Sequence, residues 1–164
     1  RTGQAEYLDG TKLDKANTMV KATCAIPLVF PPIYLDGQEY FDGGICDPIP
    51  VRKALADGNE KVLIILTRPA SYEKTLSKSN RAAARILKNK YPKLVEPLLT
   101  RHIHYNETVR FCEQLERQNK AVLLRPEGVG VIDSFEKDLS KIERCYQYGY
   151  NLAQQRMDEI AALF

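Results

Sequence analysis

An α/β architecture follows from three features of the sequence. Val62-Leu-Ile-Ile-Leu66 and Ala121-Val-Leu-Leu124 are short, uninterrupted apolar runs of strand length. They lack the alternation of a half-exposed strand, which predicts central strands covered on both faces. Between them lie two stretches with helical spacing, 77–90 and 97–118, and a long amphipathic stretch closes the chain. Strands separated by helices in this way pair in parallel and carry the helices on their faces.

The elements follow in order. Ala5-Glu-Tyr-Leu8 reads as a short strand before Asp9-Gly10. Leu13 to Thr23 has helical spacing, with Leu13, Ala16, Val20 and Thr23 or Cys24 on one stripe. Pro27, Pro31 and Pro32 then force an extended path. Asp36-Gly37 lies between Ile33-Tyr-Leu35 and Glu39-Tyr-Phe41, the pattern of a β-hairpin with a type I′ turn. Pro50 and Gly58 bracket a short helix over 51–56. In the 97–118 helix, Leu98, His102, Tyr105, Val109, Cys112 and Leu115 form the inward stripe. For the last helix, Asp133 and Glu136 have capping-box spacing. Leu139, Ile142, Tyr146, Tyr150, Ala153, Met157 and Ile160 follow at steps of three and four, a stripe expected to be packing surface without chemistry.

Composition narrows the function. The 164 residues are 44% hydrophobic and 27% charged, the balance of an ordinary folded domain. No apolar run approaches the roughly 20 residues of a membrane span, and no signal-peptide pattern opens the chain. The expected location is cytoplasmic, at most peripheral to a membrane. The chain opens at Arg1 in what reads as mid-domain sequence, so a fragment or a processed product is expected. Cys24, Cys46, Cys112 and Cys145 have no metal-like spacing and read as reduced, buried thiols. His102 and His104, two apart on a helix, do not share a face, so a metal site there is not expected.

Seven basic residues and no acid lie between Lys74 and Lys93, more than the whole chain's net charge of +3. Lys78, Arg81, Arg85 and Lys88 share one helical face, either a solvated surface or one that meets anionic lipid headgroups. Aromatics that would stack on bases are missing from it, which argues against nucleic acid.

The chain lacks a G-x-S-x-G elbow and a Walker loop, and Gly128-Val-Gly130 alone is too weak a signal for a dinucleotide site. Asp36 and Asp42 could be imagined as paired carboxylates, but Asp36 is committed to the hairpin turn. Asp42 remains, followed by Gly43 and Gly44, which allow left-handed or crowded backbone. On spacing alone it is one more Asp-Gly turn.

The flanking motifs change that reading. Ala25-Ile-Pro27, Phe30-Pro-Pro32, the Asp36-Gly37 turn, Tyr40-Phe-Asp-Gly-Gly44 and Asp47-Pro-Ile-Pro50 together resemble the C-terminal part of the patatin-like phospholipase domain. The likeness runs through the strand at 62–66 and Thr67-Arg68. Arg101-His-Ile-His-Tyr-Asn106, Arg125-Pro-Glu127 and Tyr148-Gly-Tyr150 resemble the helical extension of a group of bacterial patatin-like proteins. The implied organisation is 1–70 as the C-terminal part of a three-layer parallel-sheet acylhydrolase domain, and 71–164 as a mostly helical extension with one strand.

The resemblance implies lipid acyl-ester hydrolysis through a serine–aspartate dyad, with Asp42 as base and Gly43 and Gly44 completing its motif. A carboxylate, with an ordinary pKa of about 3.9, serves as a base when its surroundings favour the protonated form and a hydrogen bond couples it to the hydroxyl. The family's serine and Gly-rich oxyanion loop belong upstream of the aspartate and are not in this chain. Ser71, Ser77, Ser79, Ser134 and Ser140 stand in none of the required contexts. The 164 residues alone are therefore expected to be inactive, with no cofactor and no calcium requirement. Their partners would be an acyl-ester lipid and the missing N-terminal part of the polypeptide. A non-catalytic module that binds a lipid surface or a protein is the alternative. Without upstream strands, the strand at 62–66 should expose an apolar face.

Overall fold

A computed structural model describes residues 2–12, 14–133 and 136–164. Leu13 and Ser134, named above, lie outside the described residues. Helices and strands alternate as an α/β chain, arranged in two compact units: Arg1–Ile49 with Lys74–Glu107, and Pro50–Glu73 with Thr108–Phe164.

The first unit is built on the hairpin. Strands β1 (Ile33–Leu35) and β2 (Gln38–Tyr40) pair antiparallel, with Ile33 opposite Tyr40 and Leu35 opposite Gln38. Asp36 and Gly37 both have positive φ, 47° and 75°, as a type I′ turn requires. Ala5–Leu8 forms no strand. Side chains hold that segment instead, Tyr40 Oη donating to Glu6 at 2.7 Å and Tyr7 Oη to Asp47 at 2.5 Å.

Helix α1 covers only Thr18–Thr23. Its late start has a local cause. Asn17 is left-handed, φ 54°, and the Asp14 carboxylate accepts from both the Thr18 N–H and its hydroxyl. That Asx-type capping sets the first turn at Thr18.

Helix α3 (Lys78–Leu87) starts at Ser77, whose hydroxyl oxygen accepts from Asn80 N at 3.0 Å. Ala83 and Ala84 of α3 pack with Ile45, Tyr91, Leu94 and Leu98, and Phe41 joins them edge-on to Tyr91. Leu98 belongs to α4 (Val95–Arg117). Thus helical sequence after residue 77 forms the core directly behind the motif strand.

In the second unit α2 (Val51–Ala56) precedes β3 (Val62–Ile65), which pairs in parallel with β4 (Ala121–Leu124), Val62 opposite Ala121 and Ile65 opposite Leu124. β4 is buried along its whole length. β3 is not the doubly covered central strand expected from its apolar run: Ile65 is 70% exposed, and β4 is its one partner among the described residues. The run is apolar, but the packing supplies cover on one side only. The exposed apolar face expected for a strand short of neighbours is present.

Helices α5 (Leu139–Gln155) and α6 (Met157–Leu163) replace the single last helix. The break falls at Arg156, whose guanidinium bonds the Leu123 carbonyl, Glu116 and Glu159. The cap is Asp138, not the Asp133–Glu136 box. Asp138 accepts from Ser140 N, while Glu136 turns to the N–H groups of Lys137 and Asp138. The expected packing stripe is largely outside, with Leu139 79% and Tyr146 62% exposed. Cys145, Tyr148 and Leu152, roughly a quarter turn around the helix, face inward instead. Tyr148 lies over Gly130, and Leu152 meets the Val122–Leu124–Leu163 core together with Ala153 and Ile160.

Candidate functional site

Asp42 follows β2 by one residue and caps a 3-10 turn over Gly43–Ile45. Its N–H donates to the Ala25 carbonyl at 3.0 Å, and its own carbonyl accepts from Ile45 N at 3.2 Å. The half-buried carboxylate accepts the Gly44 N–H on Oδ1 at 2.7 Å. Oδ2 accepts nothing from the described residues, leaving one oxygen available to an incoming donor.

Gly43 and Gly44 are explained by crowding, not handedness, since neither has positive φ. A Cβ on Gly43 would stand 3.1 Å from Thr23 Oγ1. One on Gly44 would stand 3.0 Å from Asp42 Oδ1 and 3.3 Å from Arg101 Nη2. Arg101 also donates from Nε to the Gly44 carbonyl at 2.5 Å. Neither Arg101 nor Thr23 was marked as a site residue by the sequence. Arg101 stands 57 residues from its partner, and no local signal connects them.

A cavity of about 460 Å³ opens beside Asp42. Its apolar wall includes Met19, Val20, Ala22, Phe41, Ile45 and Leu94. The 2–8 segment, tied down through Tyr7 and Glu6, forms another side, and Asp42 and Gly43 reach it from the motif and Thr23 from the end of α1. The hairpin end is fixed by Glu39, whose nearly buried carboxylate accepts from Tyr34 Oη at 2.6 Å and Tyr91 Oη at 3.2 Å.

The other candidates lie elsewhere. Asp36 is exposed at the turn. Ser77 caps α3, Ser79 Oγ bonds Ser77 Oγ, and Ser140 Oγ donates to Asp138, so these serines have local structural work. His104 is exposed, while His102 Nδ1 is buried without a hydrogen-bond partner. Of the thiols, all free, Cys112 is buried but Cys24 is exposed and Cys46 and Cys145 are half-buried, correcting the expectation of four buried cysteines. No group of three or more His, Cys, Asp or Glu side chains among the described residues could hold a metal ion. Lys78, Arg81, Arg85 and Lys88 are all exposed. No described helix is long and apolar enough to cross a membrane.

Comparison with known proteins gives two family matches. Residues 91–164 match a domain of unknown function, DUF6363. No curated protein and no solved structure matches the chain. Residues 7–55, which include the hairpin, Asp42-Gly43-Gly44 and part of the cavity lining, match the patatin-like phospholipase family, a partial match consistent with a patatin-like family member.

Proposed function

We propose that Asp42 is the general base of a serine–aspartate dyad that hydrolyses lipid acyl esters, the serine being supplied by polypeptide upstream of this chain. The observation that carries this reading is the carboxylate itself. One oxygen is held by Gly44 N–H, the other accepts nothing from the described residues, and both belong to a group beside a largely apolar cavity.

Asp42 takes the serine hydroxyl proton as Oγ attacks the acyl carbonyl. It returns that proton to the departing alcohol, leaving an acyl-serine. Water then attacks the acyl-serine, again giving its proton to Asp42, and the serine leaves reprotonated. Histidine is not needed at any step.

The test is Asp42→Asn in the intact polypeptide. Turnover of a chromogenic acyl ester should be abolished while the folded state is kept, and retained turnover rules out the base assignment. The 164 residues alone should neither turn over the ester nor take up a fluorophosphonate label.

A second role is favoured by a separate observation. Lys78, Arg81 and Arg85 of α3 and Lys88 at its C-cap are exposed without an acidic partner among the described residues, and Ile86 beside them is also exposed. That combination suits peripheral contact with an anionic lipid surface. Changing the four to Glu should weaken sedimentation with phosphatidylserine-containing vesicles; unchanged binding removes this role.

A further inference from the structure

We infer that Arg101 is a positioning residue for the Asp42 carboxylate, an inference that rests on reading Asp42 as the base. The connection is a short relay through Gly44. Arg101 Nε donates to the Gly44 carbonyl at 2.5 Å, and the Gly44 N–H donates to Asp42 Oδ1 at 2.7 Å. Glycine places few limits of its own on φ and ψ. The direction in which Gly44 N–H points is therefore set by what holds its two neighbouring peptides, and Arg101 holds one of them.

The guanidinium also faces the carboxylate's side of Gly44. The point where a Gly44 Cβ would lie is 3.3 Å from Arg101 Nη2 and 3.0 Å from Asp42 Oδ1. Yet Arg101 and Asp42 form no ion pair among the described residues, and Asp42 Oδ2 keeps its accepting capacity. A planar guanidinium suits this task, since its donors are held rigidly in one plane and Nε cannot swing away without moving the whole group. A lysine ammonium offers a single point donor on a flexible stem.

Arg101 is itself firmly based. Leu98, three residues earlier on α4, is 3% exposed and packs in the same core as Ile45, the residue next to Gly44. A supporting group on a packed helix holds a reacting group more closely than one on a loop. The residue comes from the stretch that matches DUF6363, while the motif it supports lies in the patatin-like stretch. The inference thus assigns that second stretch a part in the chemistry.

The experiment compares wild type, Asp42→Asn, Arg101→Met and Arg101→Lys in the intact polypeptide, using a chromogenic acyl ester. Rates are normalised to fluorophosphonate-labelled sites, so unfolded molecules do not count. Arg101→Met keeps the stem and loses the donors; it should lower kcat by about 10- to 100-fold, the scale of a small misplacement of a reacting group, with KM nearly unchanged. Arg101→Lys should recover part of that loss. If Asp42→Asn is inactive while Arg101→Met keeps wild-type kcat per labelled site, the positioning role is wrong and the base reading stands. Equal losses in Met and Lys variants that track a loss of labelled sites, with kcat per site unchanged, also overturn it in favour of plain structural support. An active Asp42→Asn removes the base reading, and this inference with it.

Discussion

Tyr7 donates its hydroxyl proton to Asp47 across 2.5 Å, and this bond, with burial and the nearby negative charge, pushes the phenol up to about 12. A raised folded pKa means the native state keeps a proton that the unfolded chain loses near 10. The bond therefore stabilises fully below pH 10, and its contribution fades between pH 10 and 12. Tyr34 and Tyr40 are also pushed up by their bonds to Glu39 and Glu6, so ultraviolet titration of phenolate should show several late-ionising tyrosines, one fewer in Tyr7→Phe and one shifted down in Asp47→Asn. Cysteine reactivity gives a parallel test. Burial pushes the Cys112 thiol up to about 11, outweighing the pull of Arg125. At pH 8 an aromatic disulfide reagent should label exposed Cys24 quickly and Cys112 only on unfolding. At Gly44, an alanine must displace Asp42 Oδ1, Arg101 Nη2 or both by a few tenths of an ångström. Gly44→Ala in the intact polypeptide should lose activity before it loses stability, measured as turnover against melting temperature.

At the scale of elements, Asp138 sets the start of α5 by accepting from Ser140 N–H at 2.9 Å and Ser140 Oγ at 2.7 Å. Asp138→Ala should speed amide hydrogen exchange at 140–142 without altering exchange in β4. A uniform response across both elements would show that the cap is not local. The elements that were legible in the sequence are those with local causes. Asp36-Gly37 specifies its turn through two residues that tolerate positive φ, and Pro50 and Gly58 bracket α2 through what each does to the backbone. The last helix was misread because its cap and its buried face depend on partners far away. Leu139, Tyr146 and Tyr150 make the cleaner stripe on paper. Gly130 nevertheless selects the other side, since only a residue without a Cβ lets the Tyr148 ring lie against the backbone there. The Cβ of Gly130→Ala would stand 2.5 Å from that ring, so this change should cost about 1–3 kcal/mol in denaturant unfolding.

At the scale of the molecule, each compact unit has its own core. In the unit built on β3 and β4, Leu123 is 2% exposed, and Leu123→Ala should cost about 2–5 kcal/mol. Ile65 in the same unit stands outward on an edge strand, a surface prone to association. Ile65→Lys should reduce self-association of the 164-residue chain in sedimentation, with little change in melting temperature. In the unit built on the hairpin, the candidate site was half legible. Asp42-Gly43-Gly44 and its proline-rich approach are contiguous patterns, and the sequence exposes them. The cavity wall at Leu94 and the guanidinium at Arg101 come from helical sequence that reads, residue by residue, like any amphipathic surface.

The Arg101–Gly44 bond has a consequence in time as well as in space. Translation delivers the Asp-Gly-Gly motif first and Arg101 57 residues later, a delay of several seconds at roughly 5–20 residues per second. Until then the Gly44 carbonyl lacks its partner. A polypeptide released early, or clipped between the motif and α4, would carry the aspartate without its support. If Arg101 acts as inferred, the motif is armed only once α4 has been made.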